Sequence, residues 1–240
     1  MQRRLWVLVI AVIAGLVASM NFARAARPEL AAGDFLSRKY LQILEQTRSP
    51  FTAEGSRTIN LVLVRKNEGA TEIVPIMNLH EAGPSFRVDQ SDKAVLEDSA
   101  GLDIGQYLAQ ILSGKELRVG FDSFPAENFI AVKNLQGTIR GASVAGRYLD
   151  NERRVYTFGK DGVATTPDGT LRFTVGIDHV PYQFDYIEQS DTHKIFKFVR
   201  KKCNLDIYEV TDAIQNQHGN DGTQVKPWAF LREIGCKEAH

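Results

Sequence analysis

A serine flanked by glycines is the feature of the sequence that comes closest to a known catalytic motif. Residues 141–146 read Gly-Ala-Ser-Val-Ala-Gly, whereas the nucleophile turn of many hydrolases needs Gly-x-Ser-x-Gly between a strand and a helix. The spacing is one residue too long, and neither a helix pattern nor a suitably placed histidine accompanies it. We therefore interpret Ser143 as part of a flexible bend rather than as a nucleophile.

Histidines and loop aspartates are the residues that could hold a metal ion. The histidines lack both the i, i+4 helical spacing and the short loop spacing of metal sites; they are His80, His179, His193, His218 and His240. Aspartate precedes glycine at three predicted turns, but a calcium loop needs several oxygen ligands at alternate positions. We predict neither a metal ion nor another cofactor, although His179 and His193 could approach each other in space.

An aromatic face is the candidate site for a small apolar ligand. Tyr182, Phe184 and Tyr186 alternate with polar residues, and Phe173 lies on the preceding predicted strand. Aromatic side chains on one face of a sheet could line a cleft or a barrel that binds such a ligand. The same pattern is also typical of an ordinary hydrophobic core.

A basic run is the candidate for contact with an anionic surface, such as lipid head groups, acidic glycans or an acidic protein. Its basic residues are interleaved with apolar ones. They are Lys194, Lys197, Arg200, Lys201 and Lys202. The alternative is an edge strand that lysines protect against unwanted sheet pairing.

The N-terminus predicts export. Two arginines begin an apolar stretch that runs to Met20, and Ala-Arg-Ala at 23–25 offers the small residues that signal peptidase requires. We expect cleavage after Ala25 and a periplasmic or extracellular location. An uncleaved membrane anchor is the alternative, because the apolar stretch is just long enough to span a bilayer. Cleavage would leave 26 basic and 29 acidic residues, a net charge of −3.

The chain has two cysteines, Cys203 and Cys236, which lie 33 positions apart. In an oxidising compartment such a pair indicates one intramolecular disulfide. The absence of a Cys-x-x-Cys motif and of a nearby histidine argues against a redox or catalytic role. We predict a disulfide that joins the C-terminal tail to a strand and encloses the polar loop 216–224, a candidate recognition loop.

Two segments carry helix signals. Gly33-Asp34 could cap a helix that extends from Leu36 to Thr47 and ends before Pro50. Asp103 could cap a second helix over 104–112, where apolar residues recur with the i, i+3, i+4 spacing. A third, weaker pattern covers 211–217.

Most of the remaining chain alternates between apolar and polar residues, as half-buried strands do. The predicted strands are 58–65, 72–79, 85–89, 117–122, 129–135, 153–158, 171–177, 182–186, 194–200, 205–210 and 228–234. Short turn signals separate them, and helices do not alternate with strands. The prediction is therefore a mainly β protein with a minor helical part (α+β), an antiparallel meander that forms a barrel or a sandwich with two short helices.

Glycines clustered within 136–146 mark either a boundary or a tight bend. As a boundary they would separate a β-rich region with two helices (26–140) from an antiparallel region with the disulfide (141–240); as a bend they would lie within one continuous domain. From Gly146 onward the chain resembles a small lipocalin-like barrel, through Gly146-Arg147-Tyr148 and residues 156–162. The likeness extends over less than half of the chain and assigns no family.

Composition excludes several classes of protein. In the 240 residues, 29 basic and 29 acidic side chains balance and 43% of residues are hydrophobic, which argues against nucleic-acid binding and against disorder. We expect an exported, non-enzymatic protein that binds a small apolar ligand or an envelope or extracellular partner. The alternatives are a hydrolase with a spatially assembled pair of carboxyl groups and a structural or assembly factor of the cell envelope.

Overall fold

The computed structural model describes residues 29–55, 59–67, 70–77, 79, 81–82, 85–88, 94–96, 107–121, 124–179, 182–212 and 224–237. Within these ranges the chain is mostly antiparallel strand with a few short helices, so the predicted fold class is confirmed. Four segments of the predictions lie outside the described residues: the expected signal peptide, Asp103 with the start of the second predicted helix, most of the loop 216–224, and the weak helix pattern beyond residue 212.

The first half of the described chain forms an open antiparallel sheet. The short strand Gly33–Ser37 pairs on one side with Ile59–Asn67 and on the other with Phe124–Val132. The strands are β1 (Gly33–Ser37), β2 (Ile59–Asn67), β3 (Ala70–Met77), β4 (Glu81–Ala82), β5 (Phe86–Val88), β6 (Ala94–Leu96), β7 (Tyr107–Ser113), β8 (Glu116–Phe121) and β9 (Phe124–Val132). Their order is β6-β5-β3-β2-β1-β9-β8-β7, with β4 paired to β3.

The second half forms a closed barrel in which each strand pairs with its neighbour in sequence. The strands are β10 (Gly146–Leu149), β11 (Val155–Phe158), β12 (Val163–Thr166), β13 (Gly169–Val175), β14 (Tyr186–Gln189), β15 (Ile195–Lys201), β16 (Asn204–Asp212) and β17 (Gln224–Glu233). The barrel closes where β17 meets β10. This is the architecture that the resemblance of the second half implies.

Three helices in the described residues begin at side-chain caps. They are α1 (Arg38–Thr47), α2 (Pro50–Glu54) and α3 (Leu135–Ser143). Ser37, Ser49 and Asn134 each accept a hydrogen bond from a backbone N–H of the first turn, which satisfies a group that would otherwise have no partner. The predicted cap at Gly33-Asp34 is therefore wrong, because those residues belong to β1 and Ser37 caps α1.

Three other local predictions are also wrong. Residues 107–113 form strand β7 rather than the end of a helix, because pairing with β8 along its length outweighs a helical spacing of apolar residues. The predicted bend within 136–146 is instead helix α3, where Leu135, Ile139 and Ala142 lie on one face against the core. The predicted strand 182–186 begins only at Tyr186, and the residues before it form a bend.

One apolar cluster contains residues of both sheets and of the helices between them. Leu36, Tyr40 and Leu44 bring the open sheet and α1 into this cluster, and the inward-facing side chains of the barrel complete it. A second cluster, which includes Phe35 and Phe129, covers the opposite face of the open sheet. The boundary near residue 140 remains a prediction: all strands of the open sheet precede α3, and all strands of the barrel follow it.

The barrel interior is filled with side chains. Phe158 packs edge-to-face against Tyr148 at 5.9 Å and against Phe173 at 5.7 Å between ring centroids. Near one mouth, Trp228 packs against Tyr156 at 6.0 Å and Phe196 at 5.3 Å. Large aromatic side chains thus occupy the space that a ligand would take in a hollow barrel.

The predicted disulfide is confirmed: Cys203 and Cys236 are bonded, with their Cα atoms 5.6 Å apart. Cys203 lies in the turn between β15 and β16, and Cys236 follows β17. The bond therefore joins the C-terminal tail to the base of the β16–β17 hairpin. None of the helices in the part of the chain that the structure describes is long and apolar enough to cross a membrane.

Candidate functional site

The predicted aromatic face is divided between two places. Phe173 is buried inside the barrel, where its ring contacts Phe158 and lies under the guanidinium of Arg140. Tyr182 instead packs against Phe184 and Tyr186, with ring centroids 5.6 and 5.0 Å apart, on the segment that leads into β14. Phe173 therefore belongs to the core, and the prediction that it shares a face with the other three rings is wrong.

The predicted basic surface loses one member. The Lys197 ammonium lies over the Phe184 ring, 5.0 Å from its centroid, and Lys194 forms an ion pair with Glu209 at 3.0 Å. Lys201 and Lys202 are exposed at the β15–β16 turn. The side chain of Arg200 points into the barrel and is fully buried (0% exposed), so it cannot contact an anionic surface.

Arg200 forms a polar network where the barrel closes. Its guanidinium donates to the hydroxyl of Tyr148 on β10 at 2.9 Å and pairs with the carboxylate of Glu233 on β17. Tyr148 in turn donates to the backbone carbonyl of Val144 at 2.7 Å. Arg48 lies at the end of α1, and its Nη1 is 3.8 Å from Oε2 of the same Glu233 carboxylate. The network thus joins β10, β15, β17 and α1.

The tyrosines of the barrel should make the protein sensitive to alkali. Burial raises the pKa of Tyr148 to about 12, despite the opposing effect of Arg200. A tyrosine whose pKa is raised by folding stabilises the protein fully below pH ~10 and loses that contribution as the pH rises towards the folded value. We expect unfolding in urea to show roughly 2–3 kcal/mol less stability at pH 12 than at pH 9 from Tyr148 alone. Tyr148→Phe should reduce the slope of stability against pH; an unchanged slope would contradict this assignment.

In the part of the chain that the structure describes, the barrel closure leaves part of one edge of β17 unpaired. β17 pairs with β16 from Gln224 to Arg232, but among the described residues it meets β10 only through Leu149–Arg232 and Tyr148–Glu233. The N–H of Glu233 bonds to Cys203 on the β16 side, whereas the N–H of Ile234 bonds to Arg147 on the β10 side.

Because backbone groups alternate between the two sides of an antiparallel strand, the N–H and C=O of Phe230 point away from β16. They face a position where β10 has already ended. In the part of β17 that precedes Leu231, the edge therefore presents backbone groups that a further strand could bond.

A groove of about 570 Å³ lies beside this edge. The β10–β11 turn and the end of β17 form its walls, and its residues include Asp150, Asn151, Asp206, Phe230, Glu233 and Ile234. Phe230 and Ile234 are both 44% exposed. The groove combines an open strand edge, exposed apolar side chains and carboxyl groups.

A smaller cavity of about 270 Å³ lies at the mouth of the barrel. Phe196, Leu171 and Trp228 form its apolar part, and the Lys194–Glu209 ion pair stands at its rim. None of the residues that we predicted for ligand binding lines this cavity.

A buried polar cluster lies where α1 and α2 meet the barrel. His179 Nδ1 is 2.5 Å from Glu54 Oε2, and His179 Nε2 is 4.0 Å from Asp185 Oδ1. These three side chains are 2%, 10% and 11% exposed, respectively. Within the described ranges, the hydroxyl of Tyr40 and Nε2 of His179 are buried without a hydrogen-bond partner. The cluster places two carboxyl groups on either side of one imidazole, out of reach of a substrate.

Local packing holds His179 in this position. Phe51 of α2 contacts the imidazole edge-to-face, with 5.3 Å between ring centroids. Tyr186 of β14 contacts it in the same way, at 6.0 Å. The backbone of Gly176 lies against the Tyr186 ring so closely that a Cβ would overlap it. The N–H of Phe51 donates to Asp185 at 2.7 Å, which ties the start of α2 to the segment before β14.

The other sequence candidates have structural roles. Ser143 is buried, and its hydroxyl donates to the carbonyl of Ile139 within α3. His193 is exposed and pairs with Glu188 at 2.7 Å, so His179 and His193 take different partners. His80, His218 and His240 lie outside the described residues. Among those that the structure describes, no group of three or more His, Cys, Asp or Glu side chains is arranged to hold a metal ion.

Comparisons with known proteins assign no family to the chain. No family model, no curated protein and no solved structure matches it.

Proposed function

We propose that this chain is an exported, non-enzymatic protein that binds a partner protein, by adding an extended segment of the partner to the free edge of β17. The observation that carries the proposal is the early end of β10, which leaves Phe230 on an unpaired edge beside a groove. Addition of a strand to such an edge is a common mode of peptide recognition, in which backbone hydrogen bonds supply affinity and side-chain pockets supply specificity.

The filled barrel favours a protein partner over a small apolar ligand. Phe158, Phe173 and Phe198 are almost completely buried by other side chains of the barrel. A small ligand would have to displace this packing, at a cost of several kcal/mol for the side chains moved. The exterior groove requires no such rearrangement.

The buried acids do not favour a hydrolase. Glu54 and Asp185 lie close to one histidine, but their side chains are only 10% and 11% exposed. A general acid or base must come within hydrogen-bond reach of a substrate atom. Burial between α2 and the barrel denies that access in the folded arrangement.

The side chains around the groove indicate the chemistry of the partner. The carboxyl groups of the groove carry little free charge, since Asp150 is paired with Arg154 and Glu233 with Arg200 and Arg48. Phe230 lies opposite Asp206 on the paired strand, and its ring packs against Tyr208 at 5.8 Å. An extended segment whose apolar side chains face the exposed Phe230 ring would match this edge.

Binding can be tested with a phage-displayed library of random linear peptides, selected against the immobilised mature chain. We expect enrichment of peptides that alternate apolar and polar residues, the pattern of an extended strand with one face on Phe230. Their binding should protect the backbone amides of 224–233 from hydrogen exchange. Phe230→Asp should weaken binding by tenfold or more, because it places a charge at the centre of the contact.

Leu112→Asp is the matched control, since Leu112 is 40% exposed and lies on the open sheet. It should leave peptide affinity unchanged. Selection of peptides that bind wild-type protein and Phe230→Asp equally well, or no enrichment over the blank surface, would refute the proposed site.

Export is part of the same proposal. The disulfide is compatible with an oxidising compartment, and the N-terminal pattern of a signal peptide supports cleavage after Ala25. N-terminal sequencing of the protein recovered from the extracytoplasmic fraction should begin at Ala26. Recovery of the intact N-terminus from the membrane fraction would favour the anchor instead.

A further inference from the structure

The cavity at the mouth of the barrel has a chemistry of its own. This mouth cavity measures about 270 Å³ and is formed by the β12–β13 turn, the β14–β15 turn and the neighbouring parts of β16 and β17. Pockets for drug-sized ligands start at about 300 Å³, so the mouth cavity is suited to one small ring. The residues that line it all differ from those of the groove beside β17.

An irregularity of β17 directs Trp228 to this cavity. Two adjacent residues of β16 pair with Ala229 and Pro227, so Trp228 is an extra residue between them in the register. Regular alternation would place Trp228 on the outer face of the barrel, because the adjacent Ala229 is buried in the interior. The bulge instead lets the indole pack against Phe196, which is also buried. Bulges that redirect a side chain in this way are over-represented beside functional sites.

Trp228 and Phe196 form an apolar corner of the cavity wall. Their ring centroids are 5.3 Å apart and their planes are inclined at 56°, and Leu171 extends the wall. Rings inclined in this way cannot enclose a flat ligand between parallel faces, but they leave room for a puckered one. Because an aromatic face carries negative partial charge, the C–H bonds of a saturated ring are suitable partners for it.

The rim of the mouth cavity offers polar side chains whose hydrogen-bonding capacity is unused. Among the described residues, the carboxamide of Gln189, the carboxylate of Asp168 and the hydroxyl of Thr170 make no hydrogen bond to the protein. An apolar ligand would remove these groups from water without giving them partners, which costs free energy for each group. The rim therefore favours a ligand with several donors and acceptors of its own.

Two tight turns hold these polar groups in place. The Thr166 hydroxyl accepts a hydrogen bond from the N–H of Asp168 at 3.3 Å and donates to the carbonyl of Gly169 at 3.1 Å. The N–H of Gln189 donates to the carbonyl of Lys194 at 2.9 Å. Because the backbone of both turns is fixed before binding, a ligand pays little for ordering it.

The charges at the rim favour an uncharged ligand. Lys194 and Glu209 form an ion pair at 3.0 Å, and Asp168 is exposed to solvent. The Lys194 ammonium would repel a cation, whereas the two carboxylates would repel an anion. A sugar ring is uncharged, carries hydroxyl groups around its edge and presents C–H bonds on its faces, so it matches the rim and the apolar corner together.

We infer that the barrel mouth is a binding site for a neutral saccharide unit, which places a C–H face on Trp228 and hydrogen-bonds through its hydroxyl groups to Gln189 and Asp168. The site leaves the aromatic packing of the barrel interior undisturbed. It does not rest on the proposed partner-binding edge, because the two sites use different residues.

Tryptophan fluorescence tests this inference. The sequence has two tryptophans, Trp6 and Trp228, so Trp228 is the single one in the mature chain that begins at residue 26. Titration with D-glucose, D-galactose and N-acetyl-D-glucosamine should change its emission, with a Kd of about 1 mM for at least one of them, as expected for a ligand of this size. Gln189→Ala and Asp168→Ala should each weaken that binding by about tenfold.

Gln183→Ala is the matched control, because Gln183 is an exposed glutamine in the segment before β14, and it should bind the sugar like wild type. Phe230→Asp should also leave sugar binding unchanged, which distinguishes a failure of this site from a failure of the β17 edge. The saccharide site is refuted if none of the three sugars binds in the millimolar range, if Gln189→Ala and Asp168→Ala both bind as tightly as wild type, or if choline, a small cation, binds in place of the sugars.

Discussion

Arg200→Ala is expected to lower the free energy of unfolding by about 3 kcal/mol, because removal of one partner leaves a poorly solvated charge behind. The Arg200 side chain is fully buried, and its carboxylate partner Glu233 is 21% exposed. That partial exposure places the cost at the lower end of the range for buried ion pairs. The guanidinium also lies over the Tyr148 ring, 5.2 Å from its centroid, and this contact is lost too.

Equilibrium unfolding in urea measures this effect, and Lys201→Ala is the matched control. Lys201 is the next residue and is exposed, so its removal should change stability by less than about 0.5 kcal/mol. Combining Arg200→Ala with Glu233→Gln should cost less than the sum of the single changes, since the orphaned charge is then absent. Equal costs for Arg200→Ala and Lys201→Ala would show that the network adds nothing to stability.

Loss of the disulfide is expected to destabilise the protein by about 3–4 kcal/mol. The bond closes a loop between residues 33 positions apart, and the chain-entropy relation for a loop of this length gives that magnitude. Cys203 is buried in the barrel wall, so replacement by serine would add a polar group without a partner. Cys203→Ala with Cys236→Ala is therefore the better pair of substitutions.

Denaturant midpoints with and without dithiothreitol provide the control for this prediction. The reductant should shift the midpoint of wild-type protein to that of the double variant and should leave the double variant unaffected. If the double variant were as stable as the oxidised wild type, the covalent link would contribute nothing beyond the pairing of β16 with β17.

The alternation of apolar and polar residues was the most reliable guide to the fold. In β13, Phe173 and Val175 are buried while the intervening residues are more exposed, as a strand with one wet face requires. The failure at 107–113 has a physical cause, because Leu112 is an exposed apolar residue on the outer face of β7 and completes a helical spacing by chance. Only the pairing with β8 distinguishes a strand from a helix here, and that pairing depends on tertiary structure.

The candidate sites were less accessible to sequence reasoning. Glu54 and His179 are 125 positions apart, and nothing in the local pattern of either residue indicates the other. The free edge of β17 depends on where β10 stops, which is a property of the closed barrel. The disulfide was predictable because two cysteines in a chain expected to be exported have few alternatives.

The topology also determines the order in which the molecule can assemble. Seven of the eight barrel pairings join strands that are neighbours in sequence, and only the contact between β10 and β17 spans the whole barrel. Local pairings carry the smallest loop-closure entropy and form early, whereas distant ones slow folding. Cys203 and Cys236 flank a single hairpin, so oxidation can precede barrel closure. β1 must wait for β9, about a hundred residues later in the chain, and we expect its insertion between β2 and β9 to be the slow folding step.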